Sequence, residues 1–188
     1  MNKYNFKNVT IDQYYQIKDD VEFLMSQMQD DKLSANYTYD NFFKDDPLFI
    51  SIIYKYNQPF EVSTIIKRDM FNGGGRVLNR LMVSPLLREK HTAVGIPETT
   101  LTMLKSQIEF AKEHFDFAFI SRQFNTYRFC KRFAQDANNF LDSKWLYEKD
   151  RFLVCNDKNP NSSCWQNIAW TNFKGLDTFP LQAQSSFH

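Results

Sequence analysis

The order in which apolar periodicity changes along this chain leaves few folds open. Tyr14, Ile17, Val21, Leu24 and Met28 recur at intervals of three and four, the spacing of one helix face, and Thr10 and Asp12 suit the start of that helix. The polar segment Asp30 to Asp46 has room for a second short helix around Tyr39 to Phe43, ended by Pro47. Three strand-like runs then follow. Leu48 to Tyr56 is β-branched and aromatic, Asn57-Gln58-Pro59 reads as a turn, and Phe60 to Lys67 returns, which predicts an antiparallel hairpin. Asn72-Gly73-Gly74-Gly75 reads as a flexible loop before a third strand, Arg76 to Val83, ended by Pro85.

Beyond that strand the period returns to helical. Pro97 and Glu98 favour a helix start, and Leu101, Leu104, Ile108, Ala111 and Phe115 continue it on one face. Phe117 to Ser121 is a short apolar strand. A helix from about Asn125 to Phe140 is expected to bury Phe129, Phe133, Ala137 and Phe140, and Trp145 to Cys155 reads as one or two closing strands. A hairpin feeding a strand–helix–strand unit predicts an α/β fold: a mixed, mostly antiparallel central sheet flanked by helices on both faces. Residues 1–155 are expected to form this domain. Residues 156–188, rich in Asn, Ser and Gln, read as an irregular tail pinned onto it by Trp165, Trp170, Phe173 and Phe179.

Composition narrows the function classes. A chain of 188 residues suits one domain, and 43% hydrophobic residues exclude a disordered one. The net charge of +1 gives no global attraction to nucleic acid or an anionic membrane. No apolar run approaches the roughly 20 residues of a membrane span, and the first eight residues lack a signal-peptide core. Cys130, Cys155 and Cys164 are an odd number at no zinc-type spacing, so no metal site is expected, and reduced thiols in a cytoplasm are the simplest reading. The 16% aromatic content fills a core and leaves a homodimer open.

The segment Leu81-Met82-Val83-Ser84-Pro85-Leu86-Leu87-Arg88-Glu89-Lys90 resembles the core motif of the GNAT N-acetyltransferases. In that family a strand ends in an apolar-apolar-Val-x-Pro pattern, and an Arg or Gln then opens a glycine-rich loop before a long helix. The element order from Leu48 to Cys155 is similar as well. The resemblance implies acetyl-coenzyme A as cofactor and an amine as acceptor. Leu81, Met82 and Val83 would lie along the pantetheine, and Arg88, Lys90, Gly95, Thr99 and Asn125 would hold the remainder of the cofactor. The physical basis is general, since the first turn of a helix presents unpaired N–H groups and a positive dipole end to a phosphate. The sequence departs from the family in two places. His91 stands where the first loop glycine belongs, and Arg132 stands where the helix usually carries a tyrosine acid.

Transfer to an amine needs a base. Glu61 and His91 are the candidates: Glu61 reads either as that base or as an exposed strand-end charge, and His91 sits in the cofactor loop. His114 at a helix C-terminus and Cys130 on an amphipathic helix read as structural. Arg122, Arg128, Lys131 and Arg132, interleaved with Phe124 and Tyr127, form a basic stretch that either is solvated or contacts nucleic acid. Two functions follow: an acetyl-coenzyme A dependent N-acyltransferase, or a GNAT-like domain without cofactor binding that serves as a protein- or nucleic-acid-binding module, or modifies nucleic acid.

Overall fold

The computed structural model describes residues 3–29, 43–68, 74–87, 95–123, 127–154 and 163–180. These carry β1 (Tyr4–Thr10), a 3-10 turn (Ile11–Gln16), α1 (Lys18–Gln29), β2 (Pro47–Lys55), β3 (Gln58–Arg68), β4 (Gly74–Val83), α2 (Glu98–His114), β5 (Phe117–Gln123), α3 (Tyr127–Phe140), β6 (Trp145–Val154) and β7 (Ser163–Asn172). The strands hydrogen-bond in the order β1-β2-β3-β4-β5-β7-β6, a seven-stranded sheet. The pairings β1–β2, β2–β3, β5–β7 and β6–β7 are antiparallel, and β4–β5 is parallel through Gly75↔Ala118 and Arg76↔Phe119. The chain divides into two compact units, Met1–Ile66 with Val77–Phe110 and Lys67–Arg76 with Ala111–His188.

In the first unit the strand period of two assigns each side chain to one of two helices. Val9, Ile50, Ile52, Val62 and Met82 point to one face, where they bury Ile17, Val21, Leu24, Met25 and Met28 of the α1 segment. Tyr54, on that same face, donates its hydroxyl to Asp20 at 2.6 Å. The alternate residues meet α2. Phe49 stacks on Phe110, Ser63 donates to the Met103 sulfur, and Gln107 reaches three strands at once. The Gln107 amide nitrogen donates to Ser63 of β3 at 2.8 Å and to Ser51 of β2 at 3.4 Å, while its oxygen accepts the Leu78 N–H of β4 at 2.8 Å. That last bond meets a need. Leu78 and Arg80 adopt φ of 48° and 50°, a left-handed conformation rare for non-glycine residues and costing about 1–3 kcal/mol each. Gln107 satisfies the amide that this distortion turns out of the ladder.

The second unit packs both sides of its strands. Trp145, paired with Thr171, meets Phe133 of α3 at a ring-centroid distance of 5.3 Å. Leu146 and Trp170, on the other side, pack with Phe117, Phe119, Ile168 and Phe179. Gly74 and Gly75 approach those aromatics so closely that a Cβ on either would collide with the ring of Phe117 or Phe115.

Several sequence expectations change here. The N-terminal stretch is a strand, β1, hidden in the sequence because it buries one large aliphatic residue, Val9. The hairpin turn is Tyr56-Asn57, with φ of 51° and 63°, the two-residue geometry whose twist matches the flanking strands, and Gln58 and Pro59 already belong to β3. Pro47 opens β2, where a missing N–H is tolerated. Gly74 and Gly75 lie within β4. In α3 the buried stripe is Cys130, Phe133, Ala134 and Ala137, whereas Phe129 and Phe140 are each 41% exposed. The expected irregular tail contains β7, which lies between β5 and β6 with Trp170 fully buried. The expected helix at Tyr39 to Phe43 falls, except for Phe43, outside the described residues.

Two substitutions test this packing. Gly74→Ala is expected to destabilise by about 1–3 kcal/mol through forced displacement of the Phe117 ring. Gln107→Leu leaves the Leu78 amide and two serine hydroxyls without this partner, at about 1–3 kcal/mol for each group left dry. Urea denaturation reads both, and an unchanged midpoint for either variant contradicts the corresponding packing argument.

Candidate functional site

A cavity of about 470 Å³ lies in the first unit on the α2 side of the strands. Four neighbouring strands supply its floor: Tyr4 and Phe6 from β1, Lys55 from β2, Phe60 and Glu61 from β3, and Val83 from β4. Pro97, Glu98, Thr99, Thr100 and Thr102, from the start of α2, form its roof. The volume lies within the range of small-molecule sites.

A bulge shapes the floor. Ile53 pairs with Glu61 and Tyr54 with Pro59, so Phe60 is an extra residue on β3. Adjacent residues on a strand normally face opposite ways, and the bulge lets Phe60 and Glu61 line the same cavity. The Phe60 carbonyl accepts the Ser84 N–H just past β4 at 2.7 Å. Its ring lies 6.0 Å from that of Tyr4. Lys55 is buried, its ammonium 5.3 Å over the Phe60 ring and donating to the Leu87 carbonyl at 2.9 Å.

Glu61 is the chemical centre of this lining. At 1% exposure it is no exposed strand-end charge. The Thr100 hydroxyl donates to its carboxylate at 2.5 Å. Burial pushes the Glu61 carboxyl above its ordinary range, and hydroxyl hydrogen bonds from Thr100 and Thr99 oppose that rise. A carboxyl tuned upward in a cavity is suited to taking a proton at neutral pH.

The other expected site residues are dispersed. Val83 and Thr99 line the cavity with Glu61. Met82 points away into the α1 core, Leu81 is half-buried, and Gly95 is an exposed bend ahead of α2. Arg88, Lys90, His91 and Asn125 lie outside the described residues. Of the basic stretch, Arg122 stacks at 5.1 Å on Phe129, Arg132 pairs with Asp136 at 2.8 Å, Lys131 is exposed, and the Arg128 side chain is not among those described. Cys130 is buried, and burial pushes its thiol up to about 11 against the opposing charge of Arg122, so it is a protonated packing residue at neutral pH. Among the described residues no group of three His, Cys, Asp or Glu side chains is placed to hold a metal, and no helix is long and apolar enough to cross a membrane. Sequence reasoning missed Tyr4, Phe6, Lys55 and Phe60. Tyr4 and Phe6 carry a weak signal, the alternation of a strand, whereas nothing in the sequence marks the bulge.

No protein-family model matches the sequence, and no curated protein matches it. Solved structures do match in three dimensions. The acetyltransferase of the GNAT family from Streptococcus pneumoniae is 7% identical, with a TM-score of 0.50 over 89% of this chain and 97% of that one. The chain has the GNAT fold. An N-acetyltransferase from Staphylococcus aureus Mu50 is similar at 12% identity and a TM-score of 0.50, over 92% of this chain and 99% of that chain. The AHL synthase LasI matches at 8% identity and a TM-score of 0.54, covering 89% of each. Within this GNAT fold the cavity occupies the α2 side of β1 to β4, at the helix that follows the Val-x-Pro segment Val83-Ser84-Pro85.

The raised carboxyl gives a prediction for stability. Between the ordinary value of 4.5 and the higher folded-state value, the native protein holds a proton that the unfolded chain has released. The contribution of Glu61 is therefore full below that window and declines as pH rises through it. Glu61→Gln is uncharged at every pH, so its stability relative to the parent is expected to rise as pH increases from the ordinary value of 4.5 through the higher folded-state value. Urea titrations across that range would show a flat difference if Glu61 titrated normally.

Proposed function

We propose that this chain is an acetyl-coenzyme A dependent N-acyltransferase whose acceptor, a primary amine, binds in the cavity over Glu61. The observation that carries the reading is a buried, upward-shifted carboxyl facing a cavity at the start of α2 in a GNAT fold. Val83 and Thr99, which line the cavity with Glu61, would hold part of the cofactor beside the acceptor. The bound thioester supplies an acetyl carbon open to attack.

The chain's own groups then serve the acceptor. An amine enters mainly as its ammonium and must lose a proton before it attacks. Glu61 accepts that proton, and the Thr100 hydroxyl stabilises the carboxylate until then. With acetyl-coenzyme A bound, the nitrogen would form a C–N bond as the thioester C–S bond broke, and the second proton shed by that nitrogen would pass to the departing sulfur. Burial raises the Glu61 carboxyl, and the hydrogen bonds from Thr100 and Thr99 oppose that rise by favouring the ionised form.

Calorimetric titration of the full chain with acetyl-coenzyme A tests the reading. Saturable binding in the micromolar range is expected, with thiol release on addition of an acceptor amine. Glu61→Gln is expected to bind the cofactor as the parent does and to lower kcat by roughly 10²–10⁴-fold. The absence of heat and of thermal stabilisation at millimolar acetyl-coenzyme A would overturn the enzyme reading and leave a binding module of the same fold.

A further inference from the structure

The bond between Glu61 and Thr100 is the last rung of a polar seam between β3 and α2. Thr100, Met103 and Gln107 recur at intervals of three and four and share one helix face, while Glu61 and Ser63 share one face of the strand. Ser63 donates to the Met103 sulfur at 2.9 Å and accepts from the Gln107 amide at 2.8 Å. Two residues back along the strand, Thr100 donates to Glu61 at 2.5 Å. All five side chains are buried, so the seam runs through a dry interior and ends at the cavity.

The three hydroxyls at the start of α2 are not equivalent. Thr102 turns its own back to the Glu98 carbonyl at 2.9 Å. Thr99, the second hydroxyl donor to Glu61, is half-buried. Thr100 is 5% exposed, and its β-branched side chain has few rotamers in a helix, so the backbone aims its hydroxyl. A donor held this way to a carboxylate makes a bond roughly twice as strong as one between neutral groups.

We infer that Thr100 is a positioning residue for the transfer: its hydroxyl, held by the α2–β3 seam, fixes the Glu61 carboxyl in the cavity wall and favours the ionised form that takes the acceptor's proton. This rests on the acyltransferase reading of the same cavity and adds a residue that acts through Glu61. The other ionisable groups of the lining are Tyr4 of β1, Lys55 of β2 and Glu98 of α2, and β4 contributes Val83 alone. A substitution at Thr100 leaves them all in place, so their influence is common to parent and variant.

Infrared titration of the full chain, without cofactor or acceptor, decides the inference by itself. It follows the carbonyl stretch of the protonated Glu61 carboxyl, assigned by its disappearance in Glu61→Gln. Removing the donor leaves the proton more tightly held, so the midpoint in Thr100→Val is expected at higher pH than in the parent. Thr100→Ser, which keeps the hydroxyl, is expected to return the midpoint close to the parent's. Thr100→Ala removes the same donor and replaces Thr100→Val if that variant fails to fold. An unmoved midpoint on loss of the hydroxyl, or an equal shift in Thr100→Ser, overturns the inference. With acetyl-coenzyme A and n-butylamine, thiol release by Thr100→Val is expected to be about tenfold slower than the parent's on the acid side of the pH profile and to recover as pH rises. A loss equal at every pH overturns the positioning role and leaves the acyltransferase intact. The infrared shift in a chain with no affinity for acetyl-coenzyme A does the reverse: it upholds the hold of Thr100 on Glu61 and removes the acyltransferase reading alone.

Discussion

One amide holds the first unit in its working arrangement. Gln107 is fully buried on α2 and bonds to three strands through its two ends, so the helix cannot slide or rotate without breaking several hydrogen bonds in a dry interior. Neutral side chains that are small or flexible accompany it: Ser51 and Ser63 on the strands facing α2, and Met103 one turn earlier on α2 itself. A polar seam of this kind fixes one geometry where a purely aliphatic interface would permit several packings of similar energy. Two turns of helix upstream of that anchor, Thr100 meets Glu61. The position of the helix start over the carboxylate is thus inherited from a contact deeper in the unit.

The same anchor explains how β4 sustains its distortion. Left-handed residues inside a strand normally cost more than a sheet tolerates, because they break the ladder and strand a donor. Here the donor of Leu78 finds Gln107, and the neighbouring Asn79 and Arg80 side chains reach Asp45 at 3.4 and 3.0 Å. The strain sits between the first rungs of β4, which pair with β5, and its end, Val83, which lines the cavity.

Much of this was legible in the sequence, and the exceptions have physical causes. Helical and strand periods located α1, α2, α3 and β2 to β6 because each buries a face with regular spacing, as Leu101, Leu104 and Ile108 do. β1 escaped because Val9 is its one buried residue, and β7 because its buried run includes the polar Asn167 and Thr171, so neither shows a plain apolar pattern. Glu61 was legible as a titratable group on a strand but not as a buried one. Its burial is made by Thr100 and by the bulge, one thirty-nine residues distant and the other a feature of backbone register. The place of Phe60 in the lining was illegible for the same reason, since it points where an unbulged strand would have turned it away.

That extra residue separates two inheritances that a regular strand would bind together. In an unbroken ladder, removing one residue turns every following side chain to the opposite face. At Phe60 the count runs the other way: loss of that one residue would restore the ladder, with Pro59 still opposite Tyr54 and Glu61 still opposite Ile53. A single-codon deletion would therefore strip a ring from the floor of the cavity and leave the carboxylate on its own face. A lineage carrying this strand can change the aromatic lining of the cavity and keep the buried carboxylate where it is.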